Sequence, residues 1–121
     1  MARILLIEDD IQLQKLLYRM LERAGHDVRQ ACNGEQGINW FHETPADLVI
    51  TDIIMPEKTG LDVITELKRD YPDVKIIAMS GGARAGTKLL SMAQTLGAHK
   101  TLKKPFTRET LIAAIQEVLE G

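Results

Sequence analysis

The sequence predicts an α/β protein, a doubly wound (βα)5 three-layer sandwich built on a five-stranded parallel sheet of strand order 2-1-3-4-5. Three observations lead there. Short aliphatic runs alternate with stretches of helical period from one end of the chain to the other. No repeat, low-complexity tract or linker breaks the alternation, and 121 residues fit one domain with a real core. At the centre, Leu48-Val49-Ile50-Thr51 leads into Asp52, with Pro56 four positions on. An apolar run bounded so tightly reads as a buried parallel strand ending in a carboxylate. A charge placed there is costly unless it has a partner or a job.

The strands are expected at residues 4–7, 28–31, 48–51, 76–79 and 98–102. After the first, Leu13, Leu16, Leu17, Met20, Leu21 and Ala24 recur at three- and four-residue spacing as one apolar stripe, and Gly25 suits a left-handed helix terminus. The second helix starts near Asn33-Gly34 with Asn33 as cap, buries Ile38 and Phe41, and stops at Thr44-Pro45. The third opens around Gly60, carries Leu61, Ile64 and Leu67, and stops at Tyr71-Pro72-Asp73. The fourth covers roughly residues 86–96, with Leu89, Leu90, Ala93 and Leu96 inward and Gly97 as its end. The fifth, capped by Thr107, carries Leu111, Ile112, Ile115, Val118 and Leu119 to the end of the sequence. Right-handed crossovers leave few arrangements for such units. The flavodoxin-like order 2-1-3-4-5 suits this strand count and makes strands 1, 3 and 4 central, and these are the most aliphatic.

Hydrophobic residues at 45% and charged residues at 26% fit a globular chain and not a disordered one. A net charge of −2 gives no overall field toward nucleic acid or an anionic membrane, so neither is an expected partner. Cys32 is the single cysteine, which excludes an internal disulfide and a cysteine-based zinc site; it reads as a buried strand-end thiol. Met1-Ala2-Arg3 moves straight into an aliphatic run too short for a signal peptide or membrane span, so the cytoplasm is the expected compartment.

In such a sheet, ligands bind beyond the carboxyl ends of the strands, where strand order reverses between strands 1 and 3. Strand 1 runs into Glu8-Asp9-Asp10, strand 3 into Asp52, strand 4 into Ser80-Gly81-Gly82 and strand 5 into Lys103-Lys104-Pro105-Phe106. Four separate segments thus share one destination. Glu8, Asp9 and Asp52 in one pocket repel one another, which raises pKa values or recruits a cation. Clustered carboxylates with room for water suit Mg²⁺. Lys104 adds a point charge for a phosphoryl oxygen, Ser80 a hydroxyl for another, and Gly81-Gly82 lets backbone approach closely. A carboxylate nucleophile, a divalent metal, a cation and a hydroxyl make a phosphoryl-acceptor site.

Plainer readings compete. Asp9 or Asp10 also suits an N-cap of the first helix, Asp52 a turn before Pro56, and Ser80 an ordinary strand-end serine. Lys103 reads as a solvated neighbour of Lys104. His26, His42 and His99 are scattered over different elements and read as surface residues, and Trp40 reads as packing.

Together these residues resemble the receiver domain of two-component response regulators, from Ile4 to about Leu119. The resemblance is carried by Glu8-Asp9 after strand 1, Asp52-Ile53-Ile54-Met55-Pro56 with Gly60 four residues past the proline, Ser80 after strand 4, and Lys104-Pro105-Phe106 after strand 5. It implies one receiver domain over residues 1–121 in which Asp52 accepts a phosphoryl group from a histidine kinase or histidine phosphotransfer protein, with Mg²⁺ required. Glu8 and Asp9 would hold the metal, Glu8 through water, together with Asp52 and the main-chain carbonyl of Ile54. Lys104 would contact the phosphoryl group, and the Lys104-Pro105 bond would be cis. Ser80 would swing inward as the switch that changes the surface offered to a downstream protein target. Such a domain catalyses only its own phosphorylation and dephosphorylation and is not an enzyme acting on a separate substrate.

Two departures shape the expected output. Thr101 stands three positions before the lysine, where receivers often carry Tyr or Phe, so the ring half of the switch is absent or replaced. Ile54 and Gly82 flank the site in the family's geometry and cannot orient a water, so slow loss of phosphate is expected. The resemblance implies a monomer or a weak homodimer formed through the helix 4 to helix 5 face.

Other readings meet specific obstacles. An FMN carrier of the same fold needs a hydroxyl- and glycine-rich phosphate loop after strand 1, where Glu8-Asp9-Asp10 would repel phosphate. An aspartate-nucleophile phosphatase would use Asp9 but needs a cap, and no cap-sized insertion exists. An inert interaction module has no need of the acidic, Ser80 and Lys104 set. The sequence ends with the fifth helix, so no DNA-binding or enzymatic output domain is expected. A stand-alone regulator and a receiver excised from a hybrid kinase or multidomain regulator would both end there.

Overall fold

The structure, a computed structural model, describes residues 1–81 and 84–121. Strands and helices alternate as β1 (Arg3–Ile7), α1 (Ile11–Arg23), β2 (Asp27–Ala31), α2 (Gly34–Glu43), β3 (Leu48–Asp52), α3 (Gly60–Asp70), β4 (Ile76–Ser80), α4 (Arg84–Leu96), β5 (Lys100–Lys103) and α5 (Arg108–Glu120). All neighbouring strands are parallel, in the order β2-β1-β3-β4-β5, which is the expected order. No helix among the described residues is long and apolar enough to cross a membrane.

Strand side chains alternate between two cores because the side-chain period is two. Leu5, Ile7, Val49, Ile76 and Ala78 pack with Ile38 and Phe41 of α2, Ile64 and Leu67 of α3, and Leu90 and Ala93 of α4. Ile4, Leu6, Leu48, Ile50, Ile77, Met79 and Leu102 pack on the other face with Leu17 and Leu21 of α1 and Leu111, Ile115 and Val118 of α5. Each large side chain buried this way contributes about 1.5–3 kcal/mol. The central strands β3 and β4 are buried at every position, while edge strand β2 exposes Asp27 and Arg29. The other edge, β5, carries Lys100 half-buried and Lys103 exposed.

The helices begin where side chains can take up orphan N–H groups. Asn33 and Thr107 cap α2 and α5 as the sequence predicts, accepting from Gln36 and Thr110. Asp10 caps α1, and Thr59 closes a capping box with Asp62 at the start of α3. Gly25 and Gly97 follow α1 and α4 with φ of 92° and 122°, the expected terminators.

Several expectations need correction. Cys32 is exposed, not buried: Ala31 takes the buried end of β2, and Cys32 lies in the bend beyond, its N–H donating to Gln36 Oε1 at 2.7 Å. Leu16 is 51% exposed because it lies one residue, about 100° of helix, from buried Leu17. Leu96, at the last position of α4, is exposed, and Leu61, Leu89, Ile112 and Leu119 are only half-buried. Strand β5 starts at Lys100 because Ala98 still closes α4, its N–H donating to the Ala93 carbonyl at 3.0 Å. His42 and His99 are on the surface, whereas His26 is half-buried and accepts the Ala2 N–H at Nδ1. Trp40 packs against the α2-side core with the Arg29 guanidinium 4.4 Å from its ring centroid.

One close approach fixes the start of α3. A Cβ at Gly60 would overlap the Asp52 carbonyl oxygen and the Ile53 Cα, so helix α3 sits directly on the backbone of the β3 terminus. Gly60→Ala should therefore lower stability by about 1–3 kcal/mol through overpacking, despite alanine's better helix propensity. Urea midpoints measure this; an unchanged or raised midpoint would show that the close approach is not maintained in solution.

Candidate functional site

Parallel pairing brings the polar strand ends to one edge. Glu8 follows β1 and is 1% exposed, its N–H donating to the Ala31 carbonyl at 3.1 Å. The buried Gln14 amide of α1 donates to the Glu8 and Ala31 carbonyls, both at 3.0 Å, clamping the ends of β1 and β2 together. Sequence reasoning passed over Gln14; its spacing with Leu17 and Leu21 on the buried face of α1 is the signal that could have found it. Asp52 ends β3 at 5% exposure, and Ser80 ends β4 fully buried. Ser80 pairs in register with Lys103, and the next residue, Lys104, donates its N–H to the Ser80 carbonyl at 2.8 Å. The Lys104-Pro105 bond is cis, and Lys103 is exposed.

The Lys104 ammonium bridges two buried carboxylates. Its Nζ donates to Glu8 Oε1 at 2.8 Å and lies 3.2 Å from Asp52 Oδ1. Glu8 Oε2 accepts the Asp10 N–H at 3.1 Å, so both Glu8 oxygens are engaged. Asp9 is half-buried beside them, and one oxygen from each of Glu8, Asp9 and Asp52 falls within 4.8 Å of the others. These three carboxylates could hold a metal ion, and against a single ammonium they leave the cluster negatively charged when all are ionised. Asp10 is not part of the cluster; its exposed side chain caps α1 by accepting from Gln12 and Leu13.

Burial is the largest influence on these groups. It raises the Asp52 pKa above its ordinary 3.8, with Asp9 adding repulsion and Lys104 opposing. Burial likewise raises Glu8 above 4.5, reinforced by Asp52 and opposed by Lys104 and the Asp10 N–H. For Lys104, burial alone would lower the pKa, but Glu8 and Asp52 outweigh it and hold the ammonium above 10.5.

Among the described residues, Ser80 Oγ is buried with no hydrogen-bond partner. The neighbouring Thr51 hydroxyl, by contrast, donates to the Asp52 carbonyl at 2.9 Å. An unpaired buried hydroxyl costs about 1–3 kcal/mol. Ile54 follows in the loop with its side chain 57% exposed, and Thr101 is half-buried on β5 opposite Ala78. Gly82, expected beside the site, lies outside the described residues.

Comparison with known proteins places this geometry. The family described as the response regulator receiver domain matches residues 4–116. The chain is 35% identical to the response regulator receiver protein CpdR of Brucella abortus, covering 98% of both chains. It is 36% identical to the DNA-binding transcriptional regulator NtrC of Azospirillum brasilense across 99% of this chain, but spans only 24% of that protein. A crystal structure of a response regulator receiver domain protein from Clostridium thermocellum superposes with a TM-score of 0.93 at 30% identity, covering 99% of this chain and 95% of the other.

The raised carboxyl pKa values set the sign of a stability test. A carboxyl whose folded pKa is raised contributes stability below its unfolded pKa and loses it as pH rises through the folded value. Asp52→Asn removes that penalty, so the variant should melt a few degrees above the wild type at pH 7. The gain should shrink as pH falls toward 4 and Asp52 takes up its proton. A variant less stable than wild type at pH 7 would show that the Lys104 bridge outweighs burial at Asp52.

Proposed function

Because the chain belongs to the response regulator receiver domain family, the regulatory domain of two-component systems, we propose that residues 1–121 form one receiver domain whose phosphoacceptor is Asp52. The observation that carries this reading is the Lys104 ammonium held between buried Asp52 and Glu8, with half-buried Asp9 completing the acidic cluster. In the transfer step, an Asp52 oxygen forms a bond to phosphorus as the N–P bond of a phosphohistidine breaks, and the imidazole nitrogen leaves with the electron pair. Lys104 Nζ, 3.2 Å from Asp52 Oδ1, is within reach of the phosphoryl oxygens as their charge redistributes. Glu8 fixes where that ammonium points.

The donor set fits Mg²⁺. Asp9 and Asp52 offer carboxylate oxygens, and Glu8, with both oxygens engaged, suits contact through water; the family resemblance would add the Ile54 carbonyl. When bound, such an ion, held by Asp9 and Asp52, would supply positive charge beside the acceptor carboxylate. Ser80 supplies the switch: its buried hydroxyl, without a hydrogen-bond partner among the described residues, turns to a phosphoryl oxygen. The domain catalyses only its own phosphorylation and dephosphorylation. Ile54 offers no hydrogen bond to an attacking water, which favours a long-lived phosphorylated state.

The donor is a histidine kinase or histidine phosphotransfer protein, and the output is a protein–protein contact in the cytoplasm, made by a monomer or weak homodimer without direct nucleic-acid or membrane binding. A receiver within a longer regulator is the second reading, favoured by the NtrC relative of which this chain spans 24%.

Two experiments test the reading. With Mg²⁺ and acetyl phosphate, intact mass should show one phosphoryl group that persists well beyond seconds and is missing from Asp52→Asn. No adduct, or an equal adduct on the variant, would refute Asp52 as acceptor. Without phosphate donors, Mg²⁺ at a hundred times its dissociation constant should add about 2.7 kcal/mol of stability. Asp9→Asn should lose most of that gain in a thermal melt; a full gain would remove Asp9 from the ligand set.

A further inference from the structure

Residues 53–59 carry the chain from Asp52 to α3, and their conformation is held from outside. Glu57 sits at φ 64°, the left-handed region that non-glycine residues adopt uncommonly. Backbone bonds fasten the two ends of the loop: the Ile53 N–H donates to the Met79 carbonyl at 2.9 Å, and the Gly60 N–H to the Ile53 carbonyl at 2.8 Å. Between them Lys58 makes two ion pairs, to Glu66 of α3 at 2.8 Å and to Glu35 of α2 at 3.2 Å. The Lys58 stem and carbonyl also lie against the first residue of α2, where a Cβ on Gly34 would come within 3.0 Å of Lys58 Cγ and of its carbonyl oxygen. The loop is therefore pinned to two helices through one side chain.

The pairs differ in shielding. Lys58 and Glu66 are 28% and 29% exposed, whereas Glu35 is 68% exposed. Ion pairs this open to solvent add little to global stability. Their effect is on the shape of a loop that starts at the acceptor aspartate.

We propose that Lys58 is a positioning residue for the cation site: its ion pairs to Glu66 and Glu35 hold residues 53–59 in the cation-binding conformation before the ion arrives. This rests on the reading of Asp9, Asp52 and the Ile54 carbonyl as Mg²⁺ ligands. A loop ordered in advance gives up less conformational freedom when the ion binds, so affinity rises without a new contact. Lys58 touches neither the ion nor the phosphoryl group; contact with the phosphoryl group is the role of Lys104.

The test separates positioning from charge. Removing a positive side chain should, by Coulomb attraction alone, tighten Mg²⁺ binding, so a weaker affinity in Lys58→Met isolates the loss of the tether. Calorimetric Mg²⁺ titration of the full chain should give roughly tenfold weaker binding in Lys58→Met, the scale on which groups that orient metal ligands act. Lys58→Arg should restore it. Labelling of Asp52 by acetyl phosphate in Lys58→Met should return to the wild-type rate at saturating Mg²⁺, because the chemistry is intact. Unchanged affinity, or a rate deficit that survives saturation, overturns the proposal. Should Lys58→Met fail to fold, Lys58→Gln decides, since it keeps a polar side chain of similar reach, removes the same positive charge and cuts both ion pairs. Wild-type protein that binds no Mg²⁺ removes the cation site itself, and Lys58's role with it; wild-type binding alongside unaltered variants removes only Lys58.

Discussion

A single ammonium between two buried carboxylates holds the polar edge of this sheet together. Glu8, Asp52 and Lys104 come from three strand ends far apart in sequence, and each would be costly alone: an isolated buried charge either neutralises or destabilises the fold. Their mutual pairing makes each tolerable. It still leaves the cluster short of positive charge once Asp9 is counted. The shortfall gives a divalent ion a reason to bind there, and the bridge and the proposed cation are two answers to the same electrostatic problem.

The surroundings of that bridge are built with little slack. Gln14 ties β1 to β2 directly behind Glu8, and α3 rests on the Asp52 carbonyl through Gly60. Lys104 is fastened through its backbone to Ser80. Against this, Ser80 Oγ at the site, like Trp40 Nε1 away from it, is a buried polar atom with no partner among the described residues. Natural cores pair such atoms almost always, so each exception calls for a physical explanation.

How much of this was legible in the residues followed from where each element sits. The central strands are apolar on both faces, so their aliphatic runs, their order and their convergent polar tips could be read directly from positions such as Leu48 to Asp52. The Asn33 and Thr107 caps were readable because capping depends on neighbours two or three residues away. Cys32 and Leu16 misled because one residue of offset separates a buried position from an open one, and composition carries no phase. Gln14 and Lys58 escaped notice for a different reason: their partners, on other elements, become neighbours only once the sheet is assembled.

The two outer strands have a consequence for association. A parallel sheet ends in two rows of unpaired backbone groups, and each is an invitation to another strand. Here β2 presents Asp27 and Arg29 along one row, and β5 carries Lys100 and Lys103 along the other. A second copy adding itself edge to edge at β5 would meet exposed Lys103 and disturb the Lys100–Glu117 ion pair, and at β2 it would have to strip water from ionised groups. Charge at both edges therefore disfavours continuation of the sheet from molecule to molecule.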